Sequence, residues 1–199
     1  MQIIAERLNA TRRRVARALV EQDAAHVIAE TRKQTDAGAA FIDVNAGSVP
    51  DKEIDNLKWM VELVQDNTDL PLCLDSANVE ALRQALPLIK SDVVMLNSVN
   101  GEAERIAEVM PLAAESGALL IALAMDERGL PQGVDDRLEI TARLVDAAAG
   151  CGIPVEKLYV DPCFQPLATS PDQGMTCIHA VHQIMARWPG IHTTGGLSN

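Results

Sequence analysis

The feature that most restricts what this chain can fold into is a repeated switch of hydrophobic period. Short runs of β-branched and aliphatic residues recur, each followed by a longer segment with apolar residues on one helical face. The first runs are Ile3-Ile4 and Phe41-Ile42-Asp43-Val44, the second following the turn residue Gly38. Between them, residues 23–38 put Val27, Ile28 and Thr31 on one face and Glu30, Arg32 and Lys33 on the other, which predicts a helix closed by Gly38. The pattern continues with helix 52–65, strand 72–75, helix 79–89, strand 93–97, helix 102–116 and strand 119–124. Helix 137–150, strand 158–161, helix 176–188 and strand 191–194 complete it.

Strands joined by helical crossovers make a parallel sheet, because parallel neighbours need a long return connection. The expectation is an α/β fold: a (β/α)8 TIM barrel, C-terminally truncated, with about seven strands present and residues 1–199 forming one domain. The rival is a doubly wound open sheet, but no G-x-G-x-x-G follows the first strand. Pro162, Pro166 and Pro171 oppose helix across 162–174, which predicts a loop over the mouth of the barrel.

Composition narrows the function classes. A formal charge of -11 repels a polyanion, so no nucleic-acid partner is expected. No run of about 18 apolar residues is present and the N-terminus does not read as a signal peptide, which predicts a cytoplasmic protein without a membrane partner. Cys73, Cys151, Cys163 and Cys177 are dispersed, as expected of reduced thiols rather than a disulfide or zinc set. His179 and His182 lie three apart on a predicted helix and are expected to face solvent. Arg12, Arg13 and Arg14 read as the solvated start of a helix, the alternative being contact with an anionic substrate tail.

Polar residues recur where predicted strands end: Asp43 and Asn45, Asp75, Asn97 and Asp161, with Asn199 just beyond the last run. A parallel barrel gathers those ends at one mouth, so these side chains are expected to converge. Each alone also fits a helix cap or turn, and Asp43, inside its strand, also fits a hydrogen-bonded structural role. Carboxylates accept pairs of hydrogen bonds from adjacent N–H groups, which suits the amino-pyrimidinone edge of a pterin. A sugar or a divalent metal would use the same acceptors, but the amides in the set make no metal the expectation.

Glu6-Arg7-Leu8-Asn9, Phe41-Ile42-Asp43-Val44-Asn45, Leu72-Cys73-Leu74-Asp75-Ser76, Leu96-Asn97-Ser98, Tyr159-Val160-Asp161-Pro162 and Gly196-Leu197-Ser198-Asn199 resemble the methyltetrahydrofolate:corrinoid/iron-sulfur protein methyltransferase family. The resemblance runs the length of the chain and departs at Ala5, where the family commonly has glycine. It implies a pterin-binding domain that moves the N5-methyl group of methyltetrahydrofolate to the Co(I) of a corrinoid (cobalamin) held by a partner protein, or the reverse. It assigns Asp75, Asn97, Asp161 and Asp43 to the pterin and Asn199 to the reacting N5, and it implies a homodimer. An asparagine does not titrate, so Asn199 would stabilise a protonated N5 rather than supply its proton. The alternatives are a dihydropteroate synthase-like pterin enzyme, whose first-strand signature is absent, or the non-catalytic folate-binding module of a cobalamin-dependent methionine synthase.

Overall fold

The computed structural model describes residues 1–166 and 171–196. Seven strands alternate with helices and are neighbours in chain order, β1 (Ile4–Asn9), β2 (Phe41–Asn45), β3 (Leu72–Asp75), β4 (Val94–Val99), β5 (Leu119–Leu123), β6 (Leu158–Asp161) and β7 (His192–Thr193). Sequential parallel strands with helical returns are the pattern of the (β/α)8 barrel, and the described residues carry seven of its strands. Its contacts divide it into two compact units, Met1–Asn97 and Ser98–Asn199.

In the first unit β1 pairs with β2, β2 with β3 and β3 with β4, all parallel. β2 is buried along Phe41-Ile42-Asp43-Val44, as a strand covered on both sides must be, and Leu8, Leu74 and Leu96 join Leu57 and Met60 in the core. The register slips between Ala5 and Leu8, so β1 carries one extra residue there. The N–H of Arg7 in this bulge donates to Gln34 Oε1 at 2.8 Å, and its Nε donates to Glu30 Oε2 at 2.6 Å.

The helices of this unit are α1 (Arg13–Glu21), α2 (Ala24–Asp36), α3 (Glu53–Gln65) and α4 (Val79–Ala85). α1 adds a helix to the six expected between the strands; Val15, Ala18 and Leu19 form its buried face. α2 corrects the expected facing of Glu30, which is 5% exposed rather than solvated, because Arg7 and Lys33 both pair with it. α4 stops four residues short of the expected end, where Pro87 forces a 3-10 turn over Leu86–Leu88.

In the second unit β5 pairs with β6 and β6 with β7. Leu120, Ala122, Leu158 and Val160 pack there with Ile140, Leu144 and Ile184. The helices are α5 (Ala103–Ser116), α6 (Val134–Gly150) and α7 (Pro171–Arg187). α7 begins at Pro171, five residues before its expected start. The prolines of 162–174 do not exclude helix throughout, because proline at the first helical position removes only an N–H that would be unpaired anyway. At Gly101 the chain approaches α6 so closely that a Cβ would lie 2.8 Å from Ile140 Cγ2, and its N–H donates to Met125 O, just after β5, at 2.8 Å.

Candidate active site

The C-terminal ends of β1 to β4 bring together most of the polar residues that the sequence singled out. Asp75 Oδ2 accepts from Asn45 Nδ2 at 3.0 Å and from Asn9 Nδ2 at 3.3 Å, so two amides on two other strands orient this carboxylate. Their amide oxygens are also occupied: Asn45 Oδ1 receives the N–H of Gly47, and Asn9 Oδ1 receives both the N–H and the hydroxyl of Thr11. Each asparagine therefore ties its strand end to the following turn. Ser76, 2% exposed, donates to Glu53 at the start of α3 and accepts from Asn78 N–H, which fixes the chain after Asp75.

Asp43 sits beneath this layer. It is fully buried, accepts from Asn97 Nδ2 at 3.3 Å and pairs in register with Cys73. Burial, reinforced by the Asp75 carboxylate, pushes its pKa up to about 8, against the weaker pull of Asn97 and the Cys73 thiol. Its Oδ1 has no hydrogen-bond partner among the described residues. At neutral pH Asp43 is therefore mainly the neutral acid. The same burial, with Asp43 alongside, raises the Cys73 thiol, which makes Cys73 an inert packing group.

Asp161 ends β6 in the second unit. Its Oδ1 accepts the backbone N–H of Cys163 at 2.7 Å, and Cys163 takes a left-handed φ of 59°, unusual for a residue with a side chain. Asn199 lies outside the described residues.

Three features here escaped the sequence reading. Asn9 stood in a quoted motif without a role, and its spacing from Asp75 gives no local sign of their contact. Arg137, expected as the first residue of a helix, is fully buried against the chain after Asp161. Asp126, 2% exposed, accepts from Arg128 Nη2 at 2.9 Å and Arg143 Nη2 at 2.8 Å, contacts that hold its carboxyl down at about 2. Only the D-x-R spacing was a signal, and it is common on surfaces.

Among the described residues no group of three His, Cys, Asp or Glu side chains is placed to hold a metal ion. His179 and His182 are exposed on α7, and His192 stacks on Tyr159 with ring centroids 4.6 Å apart. No described helix is long and apolar enough to cross a membrane.

The family model described as pterin binding enzyme matches residues 5–199. The chain is 34% identical to the methylcorrinoid:tetrahydrofolate methyltransferase of Eubacterium limosum over 201 aligned positions, covering 100% of this chain and 74% of that protein. It is 29% identical to the methionine synthase of Mycobacterium leprae (strain TN) across 99% of its own length, but spans only 17% of that larger protein. Among solved structures, the dihydropteroate synthase of Stenotrophomonas maltophilia superposes with a TM-score of 0.75 at 18% identity, over 98% of this chain and 71% of that one. That likeness is one of fold alone. With the family model covering nearly every residue and a strand-end layer of oriented carboxylates and amides in place, the chain belongs to the pterin-binding enzyme family.

Proposed function

We propose that this protein is a methyltransferase that moves a methyl group between N5 of a tetrahydrofolate and the cobalt of a corrinoid carried by a partner protein. The observation that carries this reading is the Asp75 carboxylate held by Asn9 and Asn45. A pterin edge offers adjacent N–H donors, and a carboxylate oriented in advance binds them without first losing side-chain freedom. The relative at 34% identity, named as a methylcorrinoid:tetrahydrofolate methyltransferase, supports the substrate pair.

The corrinoid is the second substrate and supplies or accepts the methyl group. The rest falls to this chain. Asp75 accepts hydrogen bonds from the pyrimidine edge, and Asn97, which also donates to Asp43, orients the ring; the family resemblance assigns Asp161 to the pterin as well. A neutral Asp43 limits charge repulsion beneath a second carboxylate. Asn199 hydrogen-bonds N5, an interaction that strengthens as positive charge develops there. A cytoplasmic homodimer completes the reading.

Calorimetric titration with methyltetrahydrofolate and tetrahydrofolate tests it. Asp75→Ala is expected to lose about 1.5–3 kcal/mol of binding, the range for a hydrogen bond to a charged group. Wild-type affinity in that variant would sink the reading. Asn199→Ala is expected to lower kcat by the equivalent of about 2.7–4 kcal/mol with little change in pterin affinity, if its bond forms mainly in the transition state.

A further inference from the structure

Among the described residues Arg137 is the largest fully buried side chain, and it forms no ion pair there. Its hydrogen-bond acceptors are uncharged carbonyl and amide oxygens. Nε donates to Pro162 O at 2.6 Å, Nη1 to Gly133 O at 2.9 Å, and Nη2 to Cys163 O at 3.5 Å and Gln173 Oε1 at 3.0 Å. Burying a guanidinium without a counter-ion is costly, and an aliphatic side chain would fill the same space without that cost. Three of its acceptors, Pro162, Cys163 and Gln173, lie on the segment that leaves β6 and enters α7.

That segment needs holding. Cys163 follows Asp161 by two residues and occupies the left-handed region, where a Cβ is crowded against the backbone. Its N–H donates back to Asp161 Oδ1 at 2.7 Å. The thiol of Cys177 adds weak contacts to Pro162 O and Cys163 O at 3.9 and 3.8 Å, whereas the planar fork of Arg137 grips both carbonyls and Gln173 together.

We infer that Arg137 is a positioning residue for pterin binding: its buried guanidinium locks the Pro162-Cys163 turn, and through the Cys163 N–H that turn sets the orientation of the Asp161 carboxylate. The inference rests on the assignment of Asp161 to the pterin in the proposed function. Arg137 itself touches no substrate.

A double-mutant cycle on the full chain tests it, with tetrahydrofolate affinity read by calorimetry and the thermal midpoint read alongside. Asp161→Asn and Arg137→Met are each expected to weaken binding roughly tenfold or more. The double variant is expected to bind no more weakly than the weaker single variant, because Arg137 acts through Asp161. Arg137→Lys keeps the charge but not the fork and is expected to recover only part of the loss. Fully multiplicative losses in the double variant, or wild-type affinity in Arg137→Met, would overturn the inference. Should Arg137→Met fail to fold, Gln173→Leu removes one acceptor at a half-buried site. It is expected to weaken binding about threefold at a nearly unchanged thermal midpoint, and unchanged affinity there counts against the inference. Wild-type binding by Asp161→Asn together with loss in Asp75→Ala sinks this inference alone, whereas retained binding in Asp75→Ala sinks the pterin site itself.

Discussion

Asp43 and Asp126 are the same residue type at nearly the same exposure, 0% and 2%, yet they sit in opposite electrostatic settings. Asp43 has an amide, a thiol and a second carboxylate for neighbours, and is pushed up to about 8. Asp126 has two guanidinium groups and a backbone N–H, and is held at about 2. Burial alone therefore says little about a carboxylate's charge; the partners decide it. Asp126 is a fixed anion that anchors the chain after β5, with Arg143 also reaching Gly101 O at 3.0 Å. Asp43 is a neutral acid beneath the proposed substrate layer.

The largest effect that sharpens this contrast is in the pH dependence of stability. Asp43 has a folded pKa above its unfolded value, so from about pH 4 to pH 8 the native state holds a proton that the unfolded chain has released. Its contribution is thus complete at low pH and declines as pH rises through that window, by up to about 1.4 kcal/mol per pH unit. Asp43→Asn is expected to flatten the fall, seen as urea midpoints at pH 5 and pH 7 that lie closer together than in wild type. An unchanged pH slope would mean that Asp43 is ionised in the fold.

A smaller effect is expected on the other side of the comparison. Removing both cations in an Arg128→Ala/Arg143→Ala variant leaves a buried anion, at a cost of about 2 kcal/mol at pH 7, moderated because both arginines are half-exposed. Asp126 has a lowered pKa, so its stabilisation is present above about pH 4 and is lost as pH falls towards 2. In the double variant that acid-side loss is expected to disappear from denaturant titrations at pH 2.5 and pH 5.

Glu30 is a second case of the Asp126 kind. It is also buried and held at about 2, but its cations, Arg7 and Lys33, are 52% and 66% exposed. Glu30→Gln is expected to cost only about 1 kcal/mol at pH 7, since solvent and salt screen both partners. A loss as large as that of the arginine double variant would show that the partners' exposure matters less than the anion's burial.

The strands were legible because their β-branched runs and the helical faces between them carry different periods, and six of the crossovers were read correctly in kind. The ends were less so. Pro87 shortened α4 and Pro171 opened α7 although both are prolines, because the effect depends on whether the residue falls inside a turn or at its start. At the site, Asp43, Asp75 and Asn97 were visible as polar residues in or closing apolar strands. Asn9 was not distinguishable from a turn residue, since its bond to Asp75 spans 66 positions. Glu30 was misread because helical periodicity cannot see the Arg7 bulge that covers it.

The sequence by itself determined the alternating parallel architecture and the placing of carboxylates and amides at strand ends, because both follow from local periodicity and from the geometry of parallel strands. Only the tertiary structure decided which of those groups meet, which carboxyl keeps its proton, and that Arg137 is buried among carbonyls. These depend on distances between residues far apart in the chain and on how much water their neighbours exclude, and neither quantity is written in any local stretch of residues.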